Sequence, residues 1–207
     1  MTRAAKPIEA RKRPRQARSA ATVDIILEAA ARILEGGGLS ALNTNLVAER
    51  AGISIGSLYQ YFPGKEAILA ALTRSKRAEL VALLEAQAEK ACAGDLKTLL
   101  DGLIGAALHH QFARPRLAAS LEYAESLLPL DAETQDLKRK IAETVARALA
   151  AHGIEEPAVA ARDLAALTRG MADAAGLYGE TDPTALEGRI RRAVYGYLGL
   201  GPVLSAG

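Results

Sequence analysis

Apolar residues in this chain recur at helical spacing, in segments that glycine and proline separate. In the first segment Ile26, Ala30, Ile33 and Leu34 fall at positions i, i+4, i+7 and i+8, which gives a helix one apolar face. No stretch alternates in the way of a half-buried strand. The composition agrees, because alanine and leucine are abundant while the chain has only 2 Phe, 6 Tyr and no Trp. We therefore predict an all-α protein.

Glycine, proline and capping residues predict where the helices begin and end. Gly36-Gly37-Gly38 should end the first helix at about Glu35, because glycine accepts the left-handed conformation that follows a helix. Asn43 and Ser54 should cap the second and third helices, which are short. The predicted helices cover about 20–35, 44–51, 55–62, 65–91, 96–112, 115–127, 131–152, 157–178 and 183–199.

The charge is unevenly distributed along the chain. Residues 1–77 carry a net charge of +7 and residues 78–207 a net charge of −5, which together give the overall +2. A basic N-terminal third on an acidic body indicates that the first part contacts a polyanion. Residues 1–18 hold seven of the cations and two prolines, so they are predicted to form a basic disordered arm. Such an arm is either a solubilising tail or a contact to phosphates and the minor groove.

Several other classes of protein and site are not supported by the sequence. The single cysteine, Cys92, excludes an intramolecular disulfide and is expected to be an inert packing residue rather than a redox site. The adjacent His109 and His110 would point to different faces of a helix, so no metal site and no cofactor are expected. Without a long apolar span or a secretory signal, the expected localisation is cytoplasmic.

Two short helices joined by a glycine turn form a helix-turn-helix, and here the turn is Ala51-Gly52-Ile53-Ser54. Taken alone, this turn is weak evidence, since paired short helices are common in bundles. The run that follows is more specific: it reads GSLY at 56–59, YF at 61–62 and KE at 65–66 before an aliphatic residue. Over residues 19–70 the chain resembles the DNA-binding domain of the tetracycline-repressor (TetR) family of transcriptional regulators.

The resemblance implies an N-terminal three-helix helix-turn-helix DNA-binding domain at 19–66, behind the arm at 1–18. It also implies a C-terminal helical ligand-binding and dimerisation domain at 67–207. Two residues depart from the family pattern. Asn43 replaces a frequent Thr or Ser, and Gly64 replaces a residue that often caps the fourth helix, but both residue types can still cap.

The DNA contacts implied by the resemblance centre on the third helix. Gln60 can pair bidentately with adenine, and Ser57 lies three residues earlier on the same face. Tyr59 and Tyr61 would direct hydroxyls to phosphates, and Lys65 lies at a helix start that favours phosphate. The full set of DNA-binding candidates is Arg11, Arg13, Arg15, Thr44, Asn45, Ser54, Gly56, Ser57, Tyr59, Gln60, Tyr61 and Lys65.

The family also dimerises through its last two helices and senses small molecules among its middle helices. The dimer-interface candidates, with intramolecular core as the alternative, are Leu164, Leu167, Ile190, Val194 and Tyr197. The effector-pocket candidates are His109, Phe112, Tyr123, Met171 and Tyr178.

The sequence therefore predicts a homodimer that binds a palindromic DNA operator, represses transcription and is released by an unidentified small-molecule effector. An activator remains possible, since the sign of regulation depends on where the operator lies. An enzyme is disfavoured, because no nucleophile elbow, Walker motif, dinucleotide fingerprint or zinc-protease motif occurs. A helical interaction module without DNA binding is the other alternative.

Overall fold

The structure is a computed structural model that describes residues 17–90, 94–180 and 182–200. Within these ranges the chain forms nine helices and no strand, which confirms the all-α prediction. None of these helices combines the length and the apolar character that a bilayer crossing needs. The helices are α1 (Ala17–Ala41), α2 (Thr44–Arg50), α3 (Ile55–Tyr61), α4 (Lys65–Lys90), α5 (Leu96–Phe112), α6 (Pro115–Glu125), α7 (Asp131–Ala151), α8 (Pro157–Leu177) and α9 (Pro183–Tyr197).

Helix starts follow local chemistry closely. Pro115, Pro157 and Pro183 each begin a helix, where the missing N–H of proline costs nothing. The side chain of Asp95 accepts a 2.7 Å hydrogen bond from the Thr98 N–H and so caps α5. These starts agree with the predicted boundaries.

The glycine triplet interrupts the first helix as predicted, but at its third residue rather than its first. Helical structure does not stop at Glu35 but extends to Ala41, with one interruption at Gly38, where φ is 65° and ψ is −165°. Gly36 and Gly37 are therefore helical, and only the third glycine leaves the helical conformation. Packing of the buried face of α1 outweighs the low helix propensity of two glycines.

The chain divides into two compact units. The first comprises the described residues up to Ala78 together with Arg114–Ala132. Its core joins α1, α2, α3, the start of α4, and α6, which packs against α1. Fully buried side chains of this core include Ile26, Leu34, Leu58, Phe62 and Leu117.

The second unit comprises the described residues of Glu79–Ala113 and of Glu133–Gly207. In its core, α9 packs against both α5 and α8. The Tyr195 hydroxyl donates a 2.5 Å hydrogen bond to Asp101 and joins α9 to α5. Burial and this hydrogen bond raise the pKa of Tyr195 to about 12. The predicted functional division at residue 66 does not depend on these units and stays a prediction.

Candidate nucleic-acid interface

The turn between α2 and α3 is fixed by backbone hydrogen bonds and one glycine. The Gly52 N–H donates to the Glu49 carbonyl at 3.1 Å, and the Ile53 N–H donates to the Ala48 carbonyl at 3.0 Å. This is the Schellman pattern, which needs a left-handed residue after the helix. Gly52 supplies it with φ 66°. The turn therefore sets the angle at which α3 leaves α2.

Side-chain caps fix the starts of both helices. Asn43 Oδ1 accepts a 2.9 Å hydrogen bond from the Leu46 N–H at the start of α2. Ser54 Oγ accepts a 3.0 Å hydrogen bond from the Ser57 N–H at the start of α3 and lies 2.8 Å from Ser57 Oγ. Both predicted caps are confirmed, and each satisfies an N–H that the helix itself leaves unpaired.

One face of α3 is anchored in the core, and the other is exposed. Leu58 and Phe62 are fully buried, as the sequence predicts. Tyr59 and Gln60 are exposed, and the amide of Gln60 has no hydrogen-bond partner among the described residues. The Tyr59 hydroxyl lies 3.2 Å from Thr44 Oγ1, so it links the exposed face of α3 to the start of α2. A short helix is thus held rigidly with polar groups directed to solvent.

The predicted DNA-binding residues divide into three groups by position. Those with exposed side chains or backbone are Asn45, Ser54, Gly56, Tyr59, Gln60 and Lys65. Those that are half-buried are Thr44, Ser57 and Tyr61. Those that lie outside the described residues are Arg11, Arg13 and Arg15. The nine described candidates lie in α2, in α3 with its N-cap Ser54, and at the start of α4. The structure therefore brings them into one unit, while their contact with DNA stays a prediction.

Gly56 lies in the first turn of α3 on its exposed side. A Cβ built there would meet only Ser54 Oγ, at 3.9 Å. Glycine in a helix costs roughly 0.5–1 kcal/mol relative to alanine. Within the described chain, no neighbouring atom is close enough to require a residue without a side chain here. The space around Gly56 is therefore open, and a close approach of DNA to its backbone stays a prediction.

Sequence reasoning missed Ile55. Its spacing from Leu58 and Phe62 is i, i+3 and i+7, which is typical of one buried face. In the structure Ile55 is 37% exposed although both of the others are fully buried. No sequence signal distinguishes the three, because exposure here depends on how far the core reaches under a two-turn helix.

An ion-pair cluster joins α1 to the start of α6 within the first unit. The Arg114 guanidinium donates to Glu35 at 2.6 and 2.7 Å and to Glu28 at 2.8 Å. Hydrogen bonds from Arg114 hold the pKa values of both carboxyls below their usual range, although partial burial opposes this. Arg114 itself has a raised pKa because of the same bonds. Sequence reasoning did not single out these residues.

The effector-pocket candidates differ in burial and in the unit to which they belong. Phe112 and Met171 are half-buried beside the core of the second unit, whereas His109 and Tyr178 are exposed there. Tyr123 belongs to the first unit and is 61% exposed. A cavity of about 280 Å³ in the second unit is lined by residues 154–156, 159–160 and 197–198. An effector role for the five candidates stays a prediction.

The dimer-interface candidates divide by burial. Leu164, Ile190 and Val194 are buried in the core of their own chain, which favours the intramolecular alternative for them. Leu167 is half-buried, and Tyr197 is exposed with its hydroxyl donating to Asp163 at 2.6 Å. That hydrogen bond raises the pKa of Tyr197. Of the five candidates, Leu167 and Tyr197 are therefore the two whose side chains stay accessible to a partner chain.

A Schellman turn between two capped short helices, the second with an exposed polar face, defines the class of helix-turn-helix DNA-binding proteins. Residues 26–72 match the model of bacterial regulatory proteins of the tetR family. Residues 95–198 match the model of the tetracyclin repressor-like C-terminal domain. The chain therefore belongs to the TetR family of transcriptional regulators, as the sequence resemblance predicted.

Solved structures agree with this assignment at the level of the fold. A TetR transcriptional regulator from Rhodococcus is 24% identical, with 91% of this chain and 100% of that chain covered and a TM-score of 0.57. The fatty acid degradation regulator FadR from Bacillus halodurans is 18% identical, with 93% and 98% covered and a TM-score of 0.70. A complex of SmeT with triclosan is 22% identical, with 86% and 91% covered and a TM-score of 0.65. No curated protein matches the chain.

Proposed function

We propose that this regulator is a cytoplasmic, non-enzymatic homodimer that binds a palindromic DNA operator, represses transcription and is released by a small-molecule effector. The observation that carries the DNA-binding part is the exposed face of α3. Gly56 leaves the backbone bare, and the Gln60 amide is unpartnered within the described chain. A recognition helix inserted in the major groove explains both features.

In this proposal each exposed group has a defined role. Gln60 reads adenine through its N6 and N7 atoms, and Ser57 contacts a base edge or a phosphate. Tyr59, Tyr61 and Lys65 bind phosphates around the groove. Thr44 and Asn45 contact the backbone of one strand from the start of α2. These contacts fix both the register of the protein and part of its sequence preference.

The test is selection from random duplex DNA with purified protein at a stated salt concentration, followed by affinity measurements. We expect enrichment of a palindrome. Lys65→Ala should weaken binding to all duplexes, whereas Gln60→Ala should mainly reduce the preference for the selected sequence. Matched controls are Lys138→Ala and Gln135→Ala, which remove exposed side chains of the same types from α7. Binding without any sequence preference would contradict the proposal and favour an interaction module.

The dimer in this proposal uses an exposed apolar stripe on α8. Leu177 and Tyr178 at the end of the helix are 81% and 80% exposed. Ala174, Leu167 and Val159 lie on the same side by helical spacing and are exposed or half-buried. A stripe of this kind typically marks a protein–protein contact, and pairing with a second copy would form an intermolecular bundle.

Oligomeric state tests this surface. Ala174→Glu introduces a charge into the exposed stripe, so we expect sedimentation to show a shift from dimer to monomer and palindrome affinity to fall. Ala158→Glu is the matched control, since this exposed residue lies on α8 about 160° away around the helix. A dimer that survives Ala174→Glu would place the interface elsewhere.

The effector part of the proposal is a population shift. DNA selects one spacing of the two recognition helices, and an effector that prefers another spacing lowers operator affinity. Triclosan, which is bound in the SmeT complex, and fatty acids, whose degradation FadR regulates, are the first probes. A coupled effector should change operator affinity about 5- to 150-fold. A ligand that binds the protein and leaves operator affinity unchanged is not the effector.

A further inference from the structure

Ile55 is an exposed apolar side chain at the start of α3, at the edge of the face that packs on the core. It is the first residue of the helix and is 37% exposed, although the spacing to Leu58 and Phe62 would predict burial. Tyr59 lies four residues on and is 41% exposed, so the two side chains share one face of the helix. This face continues the surface that carries the proposed DNA contacts.

The backbone position of Ile55 is fixed by its neighbours in the chain. Ser54 caps α3 directly before it, and the buried Leu58 and Phe62 hold the helix on the core. The bare backbone of Gly56 follows directly. The aliphatic atoms of Ile55 therefore project from a rigid backbone at a point where nothing prevents close approach.

The chemistry of base edges restricts what such a side chain can recognise. In the major groove every base pair offers hydrogen-bonding groups, but among the four standard bases only thymine offers a methyl group, at C5. A branched aliphatic side chain has no hydrogen bond to give and gains only by apolar contact. Thymine is therefore the base that matches an exposed isoleucine on a recognition helix.

We propose that Ile55 is a specificity-determining residue that recognises one thymine in each operator half-site through its 5-methyl group. This inference rests on the proposed function, since it requires α3 to lie in the major groove. Gln60 lies five residues along and about 140° around the helix, so the two side chains reach different base pairs. Ile55 thus adds a thymine to the adenine assigned to Gln60.

The test uses the palindrome that the wild-type protein selects from random DNA, with each thymine replaced in turn by deoxyuridine, which lacks only the methyl group. We expect one symmetry-related pair of thymines at which replacement weakens binding. Loss of one methyl contact should weaken binding about fourfold, and loss of both about fifteenfold. At the other thymines the replacement should change affinity less than twofold.

Variants assign the effect to Ile55. Ile55→Ala should remove the sensitivity to deoxyuridine at that pair, and Ile55→Val should retain most of it. Ile25→Ala is the matched control, because Ile25 is an exposed isoleucine on α1; its sensitivity pattern should equal that of the wild type. Circular dichroism should show all three variants folded, since neither side chain is buried.

The outcomes separate this inference from the proposed function. If no palindrome is selected, both are overturned. If a palindrome is selected but deoxyuridine is tolerated at every position, or if Ile55→Ala keeps the same sensitivity, the proposed function survives and the role of Ile55 is overturned.

Discussion

Gly52 and Gly56 lie four residues apart in one motif and have different physical reasons to be glycine. Gly52 has φ 66°, so the turn itself needs a residue without a Cβ. Gly56 is helical, and the space around it is open. The first glycine is needed by the fold, whereas the second reduces helix stability with no compensation inside the described chain.

This difference predicts opposite effects of one substitution on stability and binding. Gly56→Ala should raise the free energy of unfolding by roughly 0.5–1 kcal/mol, because alanine is the better helix residue. It should also weaken operator binding, because the added methyl group separates α3 from DNA. Urea denaturation and operator titration measure the two effects. Gly176→Ala in α8, where a Cβ also meets nothing within 4 Å and which lies outside the proposed dimer stripe, is the matched control for the stability gain. An unchanged operator affinity in Gly56→Ala would contradict the close approach.

Individual residues were predictable from sequence where a local rule decides them. Asn43 and Ser54 cap as predicted because capping depends on the adjacent N–H groups alone. Ile55 was not predictable, since spacing marks a face but not the edge of the core beneath it. The same holds for Leu127, which is 62% exposed beyond the end of α6 although the adjacent Leu128 is buried.

At the scale of elements, Arg114 connects α1 with the start of α6. Its planar guanidinium bonds both oxygens of Glu35 and reaches Glu28. Only arginine offers this fork of donors, so lysine could keep the charge but not the geometry. The cluster therefore contributes to how α6 is held on the helix that precedes the DNA-binding pair.

Removal of the Arg114 side-chain charge should destabilise the first unit. Arg114→Met leaves Glu28 and Glu35 without their shared cation and should lower the free energy of unfolding by about 1–2 kcal/mol, a size limited by partial exposure. Arg114→Lys should recover part of this loss. Arg116→Met is the matched control, since Arg116 is exposed on α6 and has no ion-pair partner among the described residues. If Arg114→Met and Arg116→Met lower the free energy of unfolding equally, the ion pairs of Arg114 make no specific contribution to stability.

The same cluster predicts a dependence of stability on pH. The folded-state pKa values of Glu28 and Glu35 are lowered from an ordinary 4.5, so their stabilisation is complete above about pH 4.5 and is lost as the pH falls through the folded values. Between pH 5 and pH 3 the wild-type protein should therefore lose more unfolding free energy than Arg114→Met. Urea denaturation of both proteins across this range measures the difference. Parallel pH profiles would show that these carboxyls are not coupled to Arg114.

Element boundaries were largely predictable, but the packing of α6 on α1 was not. Capping and proline rules act over three or four residues and gave the starts of α5, α6, α8 and α9. The contact between Arg114 and Glu35 joins residues 79 apart in sequence, and no local pattern specifies such a partner. The extension of α1 beyond Glu35 was missed for a related reason, because tertiary packing keeps Gly36 and Gly37 helical.

At the scale of the whole molecule, the positive charge of the N-terminal third is concentrated before α1. Residues 1–16 carry a net +5, and residues 17–77 carry only +2. The helix-turn-helix itself is therefore almost neutral and provides shape and hydrogen bonds rather than long-range attraction. The family, the fold class and the helix-turn-helix were predictable from sequence. The dimer surface was not, because it depends on which apolar residues the chain's own core buries.

This distribution predicts that the arm supplies most of the salt dependence of DNA binding. Replacing Arg11, Arg13 and Arg15 by Gln keeps the length of the arm and removes three cations per protomer. If all three contact phosphate in a dimer, the slope of log K against log salt concentration should fall by roughly 5, at about 0.9 per contact. Sequence preference should change little, because phosphate contacts carry no base information. Operator titrations from 50 to 300 mM salt measure the slope.

A matched change of charge elsewhere decides whether the location of these cations matters. Three consecutive exposed cations lie on α7, outside the unit that contains the helix-turn-helix: Lys138, Arg139 and Lys140. Their replacement by Gln changes the net charge by the same amount, but it should leave the salt slope within one unit of the wild type. If both triple variants flatten the slope equally, net charge alone governs the association. If neither does, the arm is a solubilising tail, and the nearly neutral helix-turn-helix must obtain its affinity from direct contacts alone.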